Sequence, residues 1–70
     1  MELRHVLALN IQRLRRERGF SQEAFADHAG MDRTYISGIE RGVRNPTVGV
    51  LSRLATALDV EPWQLLKPRG

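Results

Sequence analysis

The sequence predicts an all-α fold of five short helices, and three observations indicate it. Apolar residues near the start of the chain recur at spacings of four, four and three, which is the stripe of an amphipathic helix: Leu3, Leu7, Ile11 and Leu14. Polar cap residues and helix-breaking glycines then recur along the chain at intervals that suit short helices. No segment shows the alternation of apolar and polar residues that is typical of a half-buried strand.

The predicted helix boundaries follow from these breaks. The first helix ends near Arg18, and helices two and three meet at Gly30, where a tight turn needs a positive φ. Pro46 cannot continue a helix interior, so a loop separates helices three and four. The residues predicted to cap or open the later helices are Ser21, Asp32, Thr47 and Pro62, and the predicted stops are Gly19 and Gly42.

Length and composition limit the classes of protein that the chain can belong to. Seventy residues suit one domain, which we take as residues 1–70. The chain has no cysteine and two histidines, which excludes a disulfide scaffold and a cysteine zinc site, and we expect neither metal nor cofactor. No apolar run approaches the roughly 20 residues of a membrane helix, and the N-terminus lacks a signal-peptide cleavage site. We therefore expect a cytoplasmic protein without a membrane partner.

The charge balance is compatible with a polyanionic partner. The formal net charge is +3, and ten of the eleven basic residues are arginine, with Lys67 the one lysine. The planar guanidinium suits both phosphate and guanine. Alternatively, the excess charge only keeps a small protein in solution.

The segment from Ser21 to Asn45 carries most of the functional information. Two short helices joined by a tight glycine turn form a helix-turn-helix, whose second helix can lie in the major groove of DNA. With Ile36 at the centre of the buried face, a rotation of about 100° per residue places small polar and basic residues on the opposite face of the third helix.

This outer face predicts the DNA contacts. Arg33 suits bidentate hydrogen bonds to guanine O6 and N7, and Thr34 suits a thymine methyl or a base edge. Gly38 weakens the helix but allows DNA to approach closely. The alternative for the arginines and Ser37 is an ordinary solvated residue, for Tyr35 a ring that only covers the edge of the core, and for Gly38 neutral drift. The predicted base contacts are Arg33, Thr34, Ser37 and Arg44. The predicted contacts to the sugar–phosphate backbone are Gln22, Tyr35, Gly38, Arg41 and Asn45.

Two charged residues lie on otherwise apolar helix faces. Arg15 follows Ile11 by four residues, and Glu40 follows Ile36 by four, so each shares the inner side of its helix. Charges in such positions need partners. The spacing therefore predicts a buried ion pair between Arg15 and Glu40 that ties the first helix to the end of the third.

Several of these motifs together resemble the helix-turn-helix family of phage repressors and Cro proteins. They are the run GIERG at Gly38 to Gly42, NPT at Asn45 to Thr47 and the closing VEPWQLL, and the resemblance covers about residues 5 to 66. Within the family, DRTYISGIERGVRNPT is most similar to controller proteins of restriction–modification systems. The resemblance implies a compact five-helix, lambda-repressor-like domain that binds double-stranded operator DNA as a homodimer. A twofold dimer would place its recognition helices about 34 Å apart on a palindromic operator.

The end of the chain is predicted to form the dimer interface. The larger repressors of the family carry a second, oligomerising half, and none is expected here. The C-terminal segment is rich in apolar residues for its length, and those predicted to meet the partner are Val60, Trp63, Leu65 and Leu66. The alternative is that they only close the core.

Other functions fit the sequence less well. It contains no glycine-rich phosphate loop, no HExxH motif and no nucleophile with a base that so small a fold could orient, so we do not expect an enzyme. Too few aromatic residues are present for an RNA-stacking platform. A domain this small has little room for a small-molecule ligand. An antitoxin or adaptor that mainly binds another protein is the alternative function, although such a module has no need for a basic helix face.

Overall fold

The computed structural model describes residues 2–69, which form five α-helices and no strand. The helices are α1 (Leu3–Glu17), α2 (Gln22–Ala29), α3 (Arg33–Glu40), α4 (Val48–Leu58) and α5 (Pro62–Leu65). The all-α prediction and its helix order are confirmed. None of these helices combines the length and the apolar character that crossing a membrane requires.

Local side-chain chemistry sets the helix starts where the sequence predicts them. The Ser21 hydroxyl accepts a hydrogen bond from the Ala24 amide at 3.0 Å, and the Asp32 carboxylate accepts one from the Thr34 amide at 2.7 Å. The Thr47 hydroxyl accepts one from Val50 at 3.2 Å. Each bond satisfies a first-turn amide that has no partner inside its own helix.

Between α2 and α3, the chain reverses at Gly30. Its φ is +70°, in the left-handed region where other residues are strained. The short turn lets α2 and α3 pack against each other, while α1 packs across α3 and α5. This arrangement is the predicted helix-turn-helix.

All five helices contribute to one apolar core. Its largest fully buried side chains are Ile11, Phe25, Ile36, Ile39, Leu54, Leu58 and Leu65. The predicted stripe of α1 holds for Leu7, Ile11 and Leu14, whereas Leu3 is 57% exposed because the first turn extends beyond the core.

Leu65 corrects one prediction. The sequence places it in the dimer interface, but its side chain is completely buried in the core. A residue at 0% exposure cannot meet a partner unless α5 detaches. Of the other residues predicted for the interface, Trp63 is exposed and Val60 and Leu66 are half-buried.

Long-range hydrogen bonds from side chains to carbonyl groups fasten the helices together. The buried amide of Asn10 donates to the carbonyls of Leu65 at 2.8 Å and Lys67 at 3.0 Å, and so holds the C-terminal segment against α1. The Arg53 guanidinium donates to the Gly30 carbonyl at 2.8 Å and the Ala29 carbonyl at 3.2 Å. The turn of the helix-turn-helix is therefore braced by α4.

Candidate nucleic-acid interface

One face of α3 is packed and the other is open. Ile36 and Ile39 are at most 1% exposed and fix the helix to the core, whereas Arg33 and Thr34 are exposed and Ser37 is half-buried. The eight residues of α3 make a rod about 12 Å long. Because its outer side chains are small apart from Arg33, the helix can enter a groove roughly 12 Å wide.

The arginines around this face have no acidic partner. Within residues 2–69, neither Arg33 nor Arg41 nor Arg44 forms a salt bridge, and all three are exposed. Arg33 borders an open depression at the start of α2 that the acidic side chains of Glu23 and Asp27 also line. The guanidinium groups of α3 and its loop are therefore available to an acceptor outside the chain.

The structure brings Arg15 and Glu40 together beneath this face. Arg15 Nε lies 2.7 Å from Glu40 Oε2, and Arg15 Nη2 lies 3.1 Å from Glu40 Oε1, which is a bidentate pair. Both side chains are more than nine-tenths buried. Arg15 Nη1 also donates to the Phe20 carbonyl at 2.7 Å. The pair joins α1 to the end of α3, as the sequence predicts.

Two glutamines extend this pair, and sequence reasoning missed both roles. Gln22 Nε2 donates to Glu40 Oε1 at 3.0 Å, so the first residue of α2 is tied to the last residue of α3. Gln12 Nε2 donates to the Glu40 backbone carbonyl at 2.7 Å and satisfies a group at the C-terminal end of α3. We call Arg15, Gln22 and Glu40 the Glu40 cluster. It fixes α3 relative to α1 and α2.

The loop after α3 folds back over the helix and corrects the prediction for Gly38. The sequence assigns Gly38 to the outer face as a close contact for the DNA backbone, but it is buried under the side chain of Arg44. The amides of Val43 and Arg44 both donate to the Gly38 carbonyl, at 3.0 and 3.3 Å. A helical projection of α3 does not include the loop that covers Gly38, and it therefore predicts this residue to be exposed when it is buried.

Arg44 is held against α3 by a second contact. Its guanidinium carbon lies 5.6 Å from the centroid of the half-buried Tyr35 ring, within cation–π range. The structure thus brings Arg44 beside the predicted contacts of α3. Asn45 is exposed but borders a separate shallow depression with Leu3 and Leu51.

In the part of the chain that the structure describes, no group of three or more histidine, aspartate or glutamate side chains could hold a metal ion. The polar side chains on the outer face of α3 are instead the Arg33 guanidinium and the hydroxyls of Thr34 and Ser37. This set suits hydrogen bonding to phosphate oxygens and base edges.

Comparison with known proteins identifies the family. Residues 11–62 match the family model described as helix-turn-helix. The chain belongs to this family of DNA-binding transcriptional regulators. The family is one of regulators rather than of enzymes.

Two curated relatives illustrate the range of the family. The chain is 44% identical over 68 residues to the uncharacterized HTH-type transcriptional regulator y4dJ of Sinorhizobium fredii, covering 97% of this chain and 88% of the relative. It is 39% identical over 70 residues to the control protein C.SmaI of Serratia marcescens, covering all of this chain and 83% of that protein.

Solved structures share the fold closely. The hypothetical transcription factor NHTF from Neisseria superposes with a TM-score of 0.92 at 43% identity, over 96% of this chain and 77% of that one. The restriction–modification controller protein C.Esp1396I, solved as a tetramer with its 35-base-pair operator, superposes with a TM-score of 0.81 at 35% identity. That match covers 96% of this chain and 99% of the controller.

Proposed function

We propose that the protein is a sequence-specific transcriptional regulator that binds a twofold-symmetric operator as a homodimer, as a restriction–modification controller protein does. The observation that carries the proposal is the exposed face of α3 together with the loop after it. Arg33, Arg41 and Arg44 have no acidic partner there within residues 2–69, and the Glu40 cluster holds the helix from below. The likeness to C.Esp1396I, which was solved with its operator, supports it. Regulation requires no catalytic step, and the protein acts in the cytoplasm, where it meets DNA.

In this function Arg33 reads guanine, and Thr34 and Ser37 contact neighbouring base edges or thymine methyls. Arg44 adds a base contact from the loop. Backbone contacts set the register of the domain on the duplex without reading sequence. They are assigned to Gln22, Tyr35, Arg41 and Asn45. Gly38 leaves this set because Arg44 covers it.

Dimensions favour two copies. One α3 of about 12 Å spans about three to four base pairs at 3.4 Å each, too few to define a site in a genome. The longest extent of the domain is 29 Å, shorter than the roughly 34 Å between half-sites one turn apart. Two half-sites therefore require two copies of the domain, and we assign Val60, Trp63 and Leu66 to their contact.

The operator's position decides the outcome of binding. A site that overlaps the promoter blocks polymerase, whereas a site beside it allows recruitment. The same docking geometry serves both, so the reading residues are expected to be identical in either case.

Selection of bound sequences from a random DNA pool at about 150 mM salt tests the proposal, because low salt exaggerates unspecific phosphate binding. We expect a palindromic consensus with half-sites about one turn apart. Enrichment of no sequence, with only salt-sensitive bulk binding, would contradict the proposal and indicate a protein partner instead.

Two arginine variants separate base reading from phosphate binding. Arg33→Ala is expected to cost about 1–3 kcal/mol at one base pair of each half-site and to relax the consensus there. Arg41→Ala should weaken binding to all sequences alike. It should also make the negative slope of log K against log salt less steep by about one. Equal losses on every sequence for both variants would show that Arg33 does not read a base.

A further inference from the structure

Arg44 packs against α3 through three contacts. Its aliphatic stem lies on Gly38, its guanidinium faces the Tyr35 ring at 5.6 Å, and its own amide donates to the Gly38 carbonyl at 3.3 Å. We call the surface formed by Tyr35 and Gly38 the Arg44 seat. It holds an exposed, charged side chain in one place without any acidic partner in residues 2–69.

Only glycine leaves room for this arrangement. A Cβ at position 38 would lie 2.5 Å from Arg44 Cγ, 3.2 Å from Nε and 3.4 Å from Cδ. The first distance is shorter than carbon atoms tolerate, and it involves the middle of the side chain rather than its flexible end. Gly38 itself lies inside α3 and is absent from the glycines with positive φ, so its backbone conformation does not require glycine. Its small size serves Arg44 and not the helix.

We propose that Gly38 is a specificity-positioning residue: it seats Arg44 along α3 before DNA arrives and so extends the reading surface of the helix by one loop arginine. The inference rests on the proposed function. A free arginine loses rotamer freedom when it binds a base or a phosphate, and a seat removes part of that loss in advance. The Tyr35 ring, 5.6 Å from the guanidinium carbon, also restricts where that group can lie, and a bidentate contact depends on its placement.

The variant Gly38→Ala tests the seat without weakening the fold, because alanine is the better helix former. Its melting temperature should match or exceed that of the wild type, while its affinity for the selected operator falls about tenfold for each half-site, because each subunit of the homodimer loses one bidentate contact. The consensus should relax at the same base pair in Gly38→Ala and Arg44→Ala. The matched control is Gly49→Ala in α4, where the nearest atom, Thr47 Oγ1, is 3.8 Å from the added Cβ.

A double-mutant cycle separates positioning from a purely structural role. If Gly38 acts through Arg44, the double variant binds no more weakly than Arg44→Ala alone. In the free protein, NMR should record Overhauser contacts between the Gly38 α-protons and the Arg44 γ-protons. The variant Tyr35→Leu should show weaker contacts.

The possible failures are distinguishable. A wild-type protein that enriches no DNA sequence overturns the proposed function and this inference with it. Operator binding by Gly38→Ala at wild-type strength overturns the inference alone, as does a loss that persists undiminished in the Arg44→Ala background. Missing Overhauser contacts in the free wild-type protein overturn the seating of Arg44 before binding.

Discussion

At the scale of single residues, the Glu40 cluster explains how α3 is held. Burying a carboxylate and a guanidinium is unfavourable unless their hydrogen bonds are satisfied. Here the carboxylate accepts from Arg15 twice and from Gln22 once, and no buried side-chain nitrogen or oxygen in residues 2–69 lacks a partner. The cluster therefore fixes one orientation of α3 and not a range of them.

Glu40→Gln is expected to destabilise the protein by about 3–5 kcal/mol, because Arg15 would remain buried without its counter-charge. The free energy of unfolding in urea measures this loss. The matched control is Glu17→Gln, which removes the exposed pair with Arg13 at 3.4 Å and should cost less than about 1 kcal/mol. Equal changes for the two variants would contradict a dominant role for the buried pair.

The sequence predicts the residues of this cluster unevenly. Arg15 and Glu40 can be paired from the sequence because each is a charge at helical spacing from a core isoleucine. Gln22 carries no such signal, since a polar residue at a helix start is expected to be solvated. Gly38 is misassigned for a related reason: residue spacing gives the direction of a side chain but not the path of the next loop.

At the scale of helices and turns, the sequence predicts the hydrogen bonds between residues that are close together along the chain. The caps at Ser21, Asp32 and Thr47 each bond an amide two or three residues away. In contrast, Asn10 and Arg53 bond carbonyl groups 55 and 23 residues distant. Every residue has a backbone carbonyl, so the sequence does not identify which carbonyl accepts these bonds. The acceptors are known only once the fold is known.

Backbone strain can be tested at two helix ends with positive φ, one occupied by glycine and the other by aspartate. Gly19→Ala places a side chain at φ +76° with no atom within 4 Å of the new Cβ, so its expected loss of about 1–2 kcal/mol reports backbone strain alone. Asp59 ends α4 at φ +57°, and Asp59→Gly should offset similar strain and raise the melting temperature. Calorimetry of both variants measures the shifts. Shifts of the same sign would contradict the argument.

At the scale of the whole molecule, the apolar surface that remains is concentrated in few side chains. Trp63 is 59% exposed, with the Lys67 ammonium 5.8 Å from its ring centroid. Tryptophan is enriched among the residues that contribute most to the stability of interfaces, which agrees with the proposed dimer contact. The sequence predicts a dimer interface in this region. It does not show which of the leucines faces the core, because α5 has only four residues and too few turns to define an apolar stripe.

Trp63→Glu is expected to weaken the proposed homodimer by at least about tenfold, because a buried interface tryptophan commonly carries 2 kcal/mol or more. Sedimentation velocity over a concentration series measures the dimer constant. Val48→Glu is the control. Val48 is 79% exposed and lies at the start of α4, whereas the chain leads from the other end of α4 to α5, and an acidic residue suits a helix start. A dimer constant unaffected by Trp63→Glu would exclude this residue from the interface.

The Glu40 cluster lies on the inner side of α3, and the side chains assigned to base reading lie on the outer side. In the proposed function, stability and operator preference are therefore encoded by separate sets of residues. Outer residues such as Arg33, Thr34 and Ser37 can be exchanged without disturbing the interior. Copies of such a gene can thus diverge into regulators that ignore one another's promoters inside one cell while keeping the same scaffold.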